Sequence, residues 1–257
     1  MIRISIKFLL IFLLHSSISF AQNNPEVLNV DYLVMSKDNN NCSKFEPNSM
    51  ILSIGKNFSK FHWAPLPEYR HLNVGTSGYD LYTVYKGYPD KNQLTFCGEV
   101  IKIPYTYSEP LPDFGWEILE GDTVVCGYNC QKATATFRGV RWTAWFTPDL
   151  PYSEGPWKLS GLPGLILRAY ESKCNYFFTA VEVKKGDGKD VTTDLKHTKK
   201  SSPEKYAKEM IAYGANPDQY REDHGKKINV ICYDENGNLQ DMTTKPWVPN
   251  LLENFDE

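Results

Sequence analysis

The sequence predicts a mainly β protein, built as a curved antiparallel sheet with one or two covering helices. Many short runs alternate β-branched or aromatic residues with polar ones, which is the pattern of half-buried strands. Aromatic residues make up 14% of the chain, and this bias also favours strands. Few helical patterns separate the runs, whereas the crossovers of a parallel sheet usually contain helices. The strands are therefore expected to be antiparallel.

The strand pattern recurs along most of the chain, and turn formers such as Pro89-Asp90 and Asn236-Gly237 separate the runs. We predict strands at residues 27–35, 50–54, 80–85, 94–107, 132–137, 141–146, 165–170, 175–183 and 228–233.

One helix is predicted near residues 203–214. Ser201 or Ser202 caps its start, Pro203 suits its first turn, and Gly214 ends it. Three apolar side chains repeat at helical spacing and are expected to pack on the sheet: Tyr206, Met210 and Tyr213.

Residues 1–21 are predicted to be a secretory signal peptide. Arg3 and Lys7 precede the apolar run 8–14, and small residues lead up to Ala21. The apolar run is shorter than the roughly 20 residues that span a bilayer, so a retained membrane anchor is the weaker alternative. The residue directly after Ala21 is Gln22 rather than a cysteine, so the usual lipoprotein attachment point is missing. We expect a periplasmic or secreted protein that is not an integral membrane protein after cleavage.

The mature chain, residues 22–257, is expected to form a single domain, because the sequence shows no repeat, low-complexity tract or interdomain linker. The tail from Lys245 to Glu257 has two prolines and no periodicity, so we expect it to drape over the surface or to fray. The formal net charge is −3, and removal of the signal peptide makes it more negative. Because nucleic-acid binding requires a concentrated basic surface, nucleic acid is not expected as a partner.

The cysteines predict structural disulfide bonds, because an even number in an exported protein is typical of a disulfide framework. Cys126 and Cys130 can pair only if the residues between them form a turn, and Cys174 is the more plausible partner of Cys130. A redox role for the close pair is the alternative. The six candidates are Cys42, Cys97, Cys126, Cys130, Cys174 and Cys232.

The six residues Gly161-Leu162-Pro163-Gly164-Leu165-Ile166 match the signature of the GLPGLI family letter for letter. Segments 50–61, 127–134, 144–147 and 155–158 resemble other segments of that family in the same order. The chain is thereby identified as similar to secreted Gram-negative envelope proteins of unknown role. The resemblance implies a shared fold but supplies no catalytic residues.

The signature has a structural interpretation of its own. Pro163 fixes φ and Gly164 tolerates positive φ, so Leu162 to Leu165 fits a type II turn that leads into a strand. Direct contact of Leu162, Pro163 and Gly164 with a ligand is the alternative.

Residues 147–160, just before the signature, form a proline-stiffened connection and are predicted to hold the binding site. Tyr152 and Trp157 are of the aromatic types that anchor interfaces. Packing of Trp157 over the end of the sheet as a lid is the alternative interpretation.

No catalytic residue, metal site or cofactor is predicted. The spacing of His62, His71, His197 and His224 fits no zinc signature, and no serine-hydrolase or dinucleotide motif is present.

Export, strands and aromatic residues together suggest a non-enzymatic protein that binds a lipid, a peptide or a partner protein. Long strands with a covering helix resemble the half-barrel lipoprotein carriers of the periplasm, in fold only. The alternative is a periplasmic enzyme acting on peptides or cell-wall material. An apolar groove would favour the carrier, whereas convergence of a histidine with a carboxylate or thiol would favour the enzyme.

Overall fold

The protein is mainly β and forms one open, mixed sheet with two short helices. The structure is a computed structural model, and it describes residues 27–37, 45–64, 82–187, 193, 195, 197–225, 246–249 and 251–254. The predicted fold class is therefore confirmed. The predicted signal peptide and the predicted strand at 228–233 lie outside the described residues.

The strands are β1 Leu28–Lys37, β2 Phe45–Ile54, β3 Ser59–Trp63, β4 Tyr82–Lys86, β5 Gln93–Val100, β6 Ile103–Pro110, β7 Glu117–Val125, β8 Tyr128–Phe137, β9 Val140–Thr147, β10 Leu165–Glu171, β11 Tyr176–Lys185 and β12 Lys199–Lys200. The helices are α1 Pro203–Ala215 and α2 Pro217–Asp223.

The strand order is β12-β6-β5-β4-β3-β2-β1-β11-β10-β9-β8-β7. Two antiparallel meanders, β1 to β6 and β7 to β11, meet where β1 pairs with β11. The short β12 pairs with β6 in parallel, and it is this pair that makes the sheet mixed. In the described part of the chain, β12 and β7 are the two edges.

The predicted strand at 94–107 is wrong as a single element, because it is the hairpin of β5 and β6. Ile101 and Lys102 form its turn with φ of 49° and 61°. Neither residue type signals a turn, so the sequence pattern continued across it. The strands β3, β7 and β12 were not predicted. The strand β7 is an edge strand with acidic residues on an exposed surface, so it lacks apolar alternation.

Alternation along the strands separates an inner face from an outer face. Leu52, Phe61, Val84, Phe96 and Tyr107 follow one another across β2 to β6 and are buried on the inner face. Residues one position away along each strand point to the outer face. The core of the protein therefore lies against the inner face.

The helix α1 begins where the sequence predicts. Ser202 is its N-cap, and its hydroxyl oxygen accepts a hydrogen bond from the Lys205 amide at 3.2 Å. Tyr206 packs on Phe96 of β5 with ring centroids 5.2 Å apart. A Cβ atom on Gly98 would lie 2.5 Å from the Tyr206 hydroxyl, so only glycine allows this close approach. The predicted packing of the helix on the sheet is confirmed.

Of the two expectations for the C-terminal tail, fraying is wrong where the tail is described. Trp247 is buried against α1, and its amide donates to the carbonyl of Gly214 at 2.8 Å. Leu252 packs against the main apolar core, Leu251 packs against a smaller apolar cluster around Trp247 and α1, and Glu253 is buried. The apolar side chains dock this segment in spite of its prolines.

In the described residues, no helix has the length and hydropathy needed to span a membrane.

Candidate functional site

The inner face of the sheet is filled by the connection between β9 and β10, residues 148–164, which we call the plug loop. Trp157 is 2% exposed, and Leu159 and Leu162 are also buried. The loop contacts β4 through Lys86, β6 through Glu109 and β9 through Trp142. Because these strands are far apart in the sheet order, the sheet curves around the loop.

A lysine from the sheet fastens one side of the plug loop. The Lys86 ammonium group is buried and donates to the carbonyls of Gly155 at 2.6 Å and Leu159 at 2.9 Å. It also forms an ion pair with Glu154 at 2.7 Å. Burial lowers the pKa of Lys86, and the Glu154 carboxylate opposes that shift. The lysine satisfies loop carbonyls that the core would otherwise leave unpaired.

A lysine from the plug loop fastens the other side. Lys158 is 0% exposed, and its ammonium group lies 2.5 Å from a Glu109 oxygen, 2.8 Å from both Glu253 oxygens and 3.2 Å from the Tyr107 hydroxyl. Arg138 pairs with the same two carboxylates. Burial alone would lower the pKa of Arg138, but Glu253 and Glu109 raise it. We call these four charged residues the buried charge cluster.

The predicted binding residues fall into two groups. Trp157, Leu162 and Gly164 are buried, whereas Tyr152 is half-buried and Pro163 is exposed. This burial favours the alternative in which the loop packs over the sheet, and binding at these residues stays a prediction.

The predicted type II turn at the signature is wrong, because Gly164 has a φ of +157° where that turn requires about +80°. The Leu165 amide accordingly donates to Leu150 rather than to Leu162. A Cβ atom on Gly164 would lie 2.2 Å from the Thr147 carbonyl oxygen. Close approach of the β9 backbone therefore requires this glycine, and the predicted start of β10 at Leu165 is confirmed.

An open pocket of about 380 Å³ lies on the other side of the sheet, over β3 to β6. Three directly paired residues carry polar side chains across its floor: His62, Thr83 and Cys97. Lys60, Tyr85 and Glu99 also line it from the outer face. Trp63 and Tyr82 border the pocket but belong to the inner face by strand alternation, and the Tyr82 ring stacks on Phe96. We call this the outer pocket. The outer pocket combines the Tyr85 ring with side chains of both charges.

The thiol in the outer pocket is not paired with the histidine. The Cys97 sulfur lies 2.8 Å from the Thr106 hydroxyl, and burial raises the pKa of Cys97 while that hydrogen bond opposes the shift. Thr83 lies between His62 and Cys97, so their backbones are two strand spacings, about 10 Å, apart. A nucleophile and its base need hydrogen-bond contact, which this arrangement does not provide.

The remaining histidines lie elsewhere. His224 follows α2 and stacks on Tyr220, His197 precedes β12, and His71 lies outside the described residues. In the described ranges, no group of three or more His, Cys, Asp and Glu side chains has metal-binding geometry.

The four described cysteines, Cys97, Cys126, Cys130 and Cys174, are free thiols. The predicted bridge from Cys130 to Cys174 is wrong. Cys130 lies near the Leu165 end of β10 in register, whereas Cys174 follows its other end, about 20 Å along the strand direction. Residues Cys126 and Gly127 do form a turn, with φ of 51° and 82°, yet Cys126 and Cys130 are not bonded. Cys42 and Cys232 lie outside the described residues.

Sequence reasoning did not identify Lys86 or the buried charge cluster. The one available signal was Lys158, a lysine directly after Trp157 within an otherwise apolar stretch. The outer pocket was also not predicted, because its residues come from separate strands whose register the sequence does not specify.

The fold and the site together define a mainly β protein with a plugged inner face and a pocket on its outer face. The model of a protein family of unknown function, Porph_ging, matches residues 138–168, which cover β9, the plug loop and the start of β10. The match is consistent with similarity to an uncharacterised family and leaves the GLPGLI resemblance an expectation. No curated protein matches the chain.

Two solved structures of PNGF-II, in space groups P21 and C2, are similar to this chain. Both have a TM-score of 0.49, with 14% and 15% sequence identity respectively. Each comparison covers 71% of this chain and 32% of the PNGF-II chain, so this chain spans about a third of that protein's length.

Proposed function

We propose that the protein is exported to the bacterial periplasm and acts as a non-enzymatic binding protein that takes a segment of a peptide or partner protein in the outer pocket. The observation that carries the proposal is the pocket itself, about 380 Å³ in volume and lined on the outer face by Lys60, Tyr85 and Glu99. This volume falls at the lower end of the range for ligand pockets, about 300 to 1,000 Å³.

The chemistry of the pocket favours a peptide over a lipid. The Tyr85 ring suits an apolar side chain, while Lys60, Glu99 and Thr83 offer charges and a hydroxyl to polar backbone groups. A lipid carrier needs an apolar groove, but the plug loop fills the inner face of the sheet with Trp157, Leu159 and Leu162.

The alternative is a periplasmic enzyme acting on peptides or cell-wall material. The outer pocket is where such chemistry would be sought, because it contains both His62 and Cys97. Their separation across Thr83 and the raised pKa of Cys97 favour binding over nucleophilic catalysis.

Export is tested on protein from the native host. We expect the intact mass to match a chain that begins at Gln22, and we expect the protein to be recovered in periplasmic extract. Protein that retains Met1 and sediments with membranes would contradict the proposal.

The pocket is tested with a variant that fills it. Thr83→Phe places a ring on the pocket floor, and Thr143→Phe on β9 is the matched control outside the pocket. Each protein, with wild type, is incubated with solubilised envelope extract of the host, and bound species are identified by mass spectrometry. We expect a peptide or protein retained by wild type and the Thr143 variant but lost from the Thr83 variant. Equal retention by all three proteins, or retention by none, would refute a pocket ligand.

A further inference from the structure

Four segments that are distant in the sequence converge at the buried charge cluster. Glu109 comes from β6, Arg138 from the turn between β8 and β9, Lys158 from the plug loop, and Glu253 from the C-terminal segment. Two cations face two carboxylates, so the cluster is neutral as a whole only while Glu253 is in place.

The carboxylate of Glu253 is held between both cations. Its two oxygens lie 2.8 Å from the Lys158 nitrogen, and one of them lies 2.7 Å from an Arg138 nitrogen. The Glu253 side chain is 7% exposed and that of Lys158 is 0% exposed. The backbone adds a further contact, since the Asn254 amide donates to the Arg138 carbonyl at 3.1 Å. Such charge-assisted contacts specify a carboxylate rather than a neutral group.

We propose that Arg138 and Lys158 form a carboxylate-binding site whose ligand is the chain's own segment 251–254, and that this segment is a latch that holds the plug loop in the inner face of the sheet. The segment presents Glu253 to the two cations, and the neighbouring Leu252 packs against the main apolar core.

Loss of the carboxylate acts directly on the plug loop because Lys158 belongs to it. Without Glu253, Lys158 would retain Glu109 but share it with Arg138, leaving one excess positive charge in a buried site. The rings of Trp157, Tyr107 and Phe96 surround the ammonium group at 5.5, 5.2 and 5.8 Å and replace little of its hydration. A buried charge that loses its partner is strongly unfavourable, so water must reach Lys158 and the loop must open.

The latch also explains why the plug loop is fastened by charges at all. An apolar loop packed on an apolar face needs no buried lysine, and an ion pair of this kind is often no more stabilising than apolar side chains of the same size. What charges add is dependence on a specific partner. Whatever removes the segment 251–254 would expose the apolar inner face, a consequence independent of the outer pocket.

The test is hydrogen exchange in the full-length chain with Glu253→Gln, an isosteric change that removes the charge and replaces one acceptor oxygen with an NH2 donor. We expect amide exchange in residues 155–162 to accelerate by at least about tenfold, with β1 and β2 unchanged. Glu253→Asp keeps the charge and should restore most of the protection. Asp218→Asn, which removes a carboxylate paired with Arg221 on α2, is the matched control and should leave the loop unchanged.

Two results would overturn the latch. One is unchanged exchange of the plug loop in the Glu253→Gln protein. The other is equal acceleration in β1, β2 and the loop, which would mean that Glu253 stabilises the whole fold rather than the loop. Arg138→Gln removes one of the two cations that bind the Glu253 carboxylate. Because the Arg138 side chain is 28% exposed, this is the milder variant. It should give a smaller acceleration confined to the same residues, and acceleration elsewhere would again overturn the latch.

Discussion

Trp157 of the plug loop stacks on Trp142 of β9 with ring centroids 5.3 Å apart and an interplanar angle of 25°. Both rings are buried, and Trp157 has a φ of 53°, which a tryptophan rarely adopts. The surrounding packing must therefore hold this conformation. The contact holds the centre of the loop against the sheet. Substitution of Trp157 can therefore distinguish between a loop that serves as a recognition element and one that is part of the core.

Trp157→Ala is expected to lower the free energy of unfolding by about 3 to 5 kcal/mol, because it leaves a large cavity against Trp142. Tyr152→Ala, at a half-buried position, should cost clearly less. Chemical denaturation of both variants measures the difference. A Trp157→Ala protein of wild-type stability that no longer binds its envelope partner would instead make the loop a recognition element.

Gly164→Ala is expected to destabilise the protein by about 3 kcal/mol or more, since the new Cβ atom would lie 2.2 Å from the Thr147 carbonyl oxygen and the β9 backbone must shift. Gly161→Ala is the matched control within the same signature. Gly161 has a φ of +94°, but its nearest new contact would be 3.7 Å away at Trp116. Its cost should be only about 1 kcal/mol, from backbone strain. Equal melting temperatures for the two variants would show that close approach does not decide this position.

Local signals predicted the elements whose residues specify them without help from distant segments. The strand β10 follows Gly164 as a run of apolar residues, and α1 carries its own cap at Ser202. The edge strand β7 is different, because it forms by pairing with β8 and its own pattern is acidic. Sequence reasoning detects what a segment prefers, but not what a neighbouring strand imposes on it.

The buried charge cluster lay beyond sequence reasoning for a related reason. Lys158 contacts Glu109 and Glu253, which are 49 and 95 residues away in the chain. Lysine and glutamate are common surface residues, so nothing in their spacing marks them as buried.

The cysteines show the converse error. Their number suggested bridges, but the strand register places Cys130 and Cys174 near opposite ends of β10.

Asp31→Asn is expected to raise the free energy of unfolding at pH 7. Asp31 is 2% exposed, one of its oxygens has no hydrogen-bond partner within the described part of the chain, and burial raises its pKa above the ordinary 3.8 in spite of Lys184. The ionised form therefore costs more in the folded state than in the unfolded state, and a neutral isostere removes that cost.

The pH dependence of this stability difference gives a second measurement. As the pH falls through the raised pKa of folded Asp31 towards 3.8, the folded wild type takes up a proton before the unfolded chain does, and the cost disappears. The advantage of the Asp31→Asn protein should therefore shrink on acidification. Asp218→Asn, at a side chain that is 41% exposed, should show no comparable gain. A lower stability of the Asp31→Asn protein at pH 7 would mean that the Lys184 ion pair outweighs burial.

Alkylation of the native, reduced protein is expected to rank the thiols by burial. Burial raises the pKa of Cys97 above its ordinary 9.0, so less of its thiolate is present at pH 8 than for an ordinary cysteine. Cys174 is exposed and should react with iodoacetamide sooner, as followed by peptide mass spectrometry over time. Thr106→Val removes the hydrogen bond that opposes the shift, so it should slow Cys97 further without changing Cys174. Unfolding in denaturant should abolish the ranking. If native Cys97 instead reacts faster than Cys174, the thiol is activated, and the enzymatic alternative for the outer pocket gains over binding.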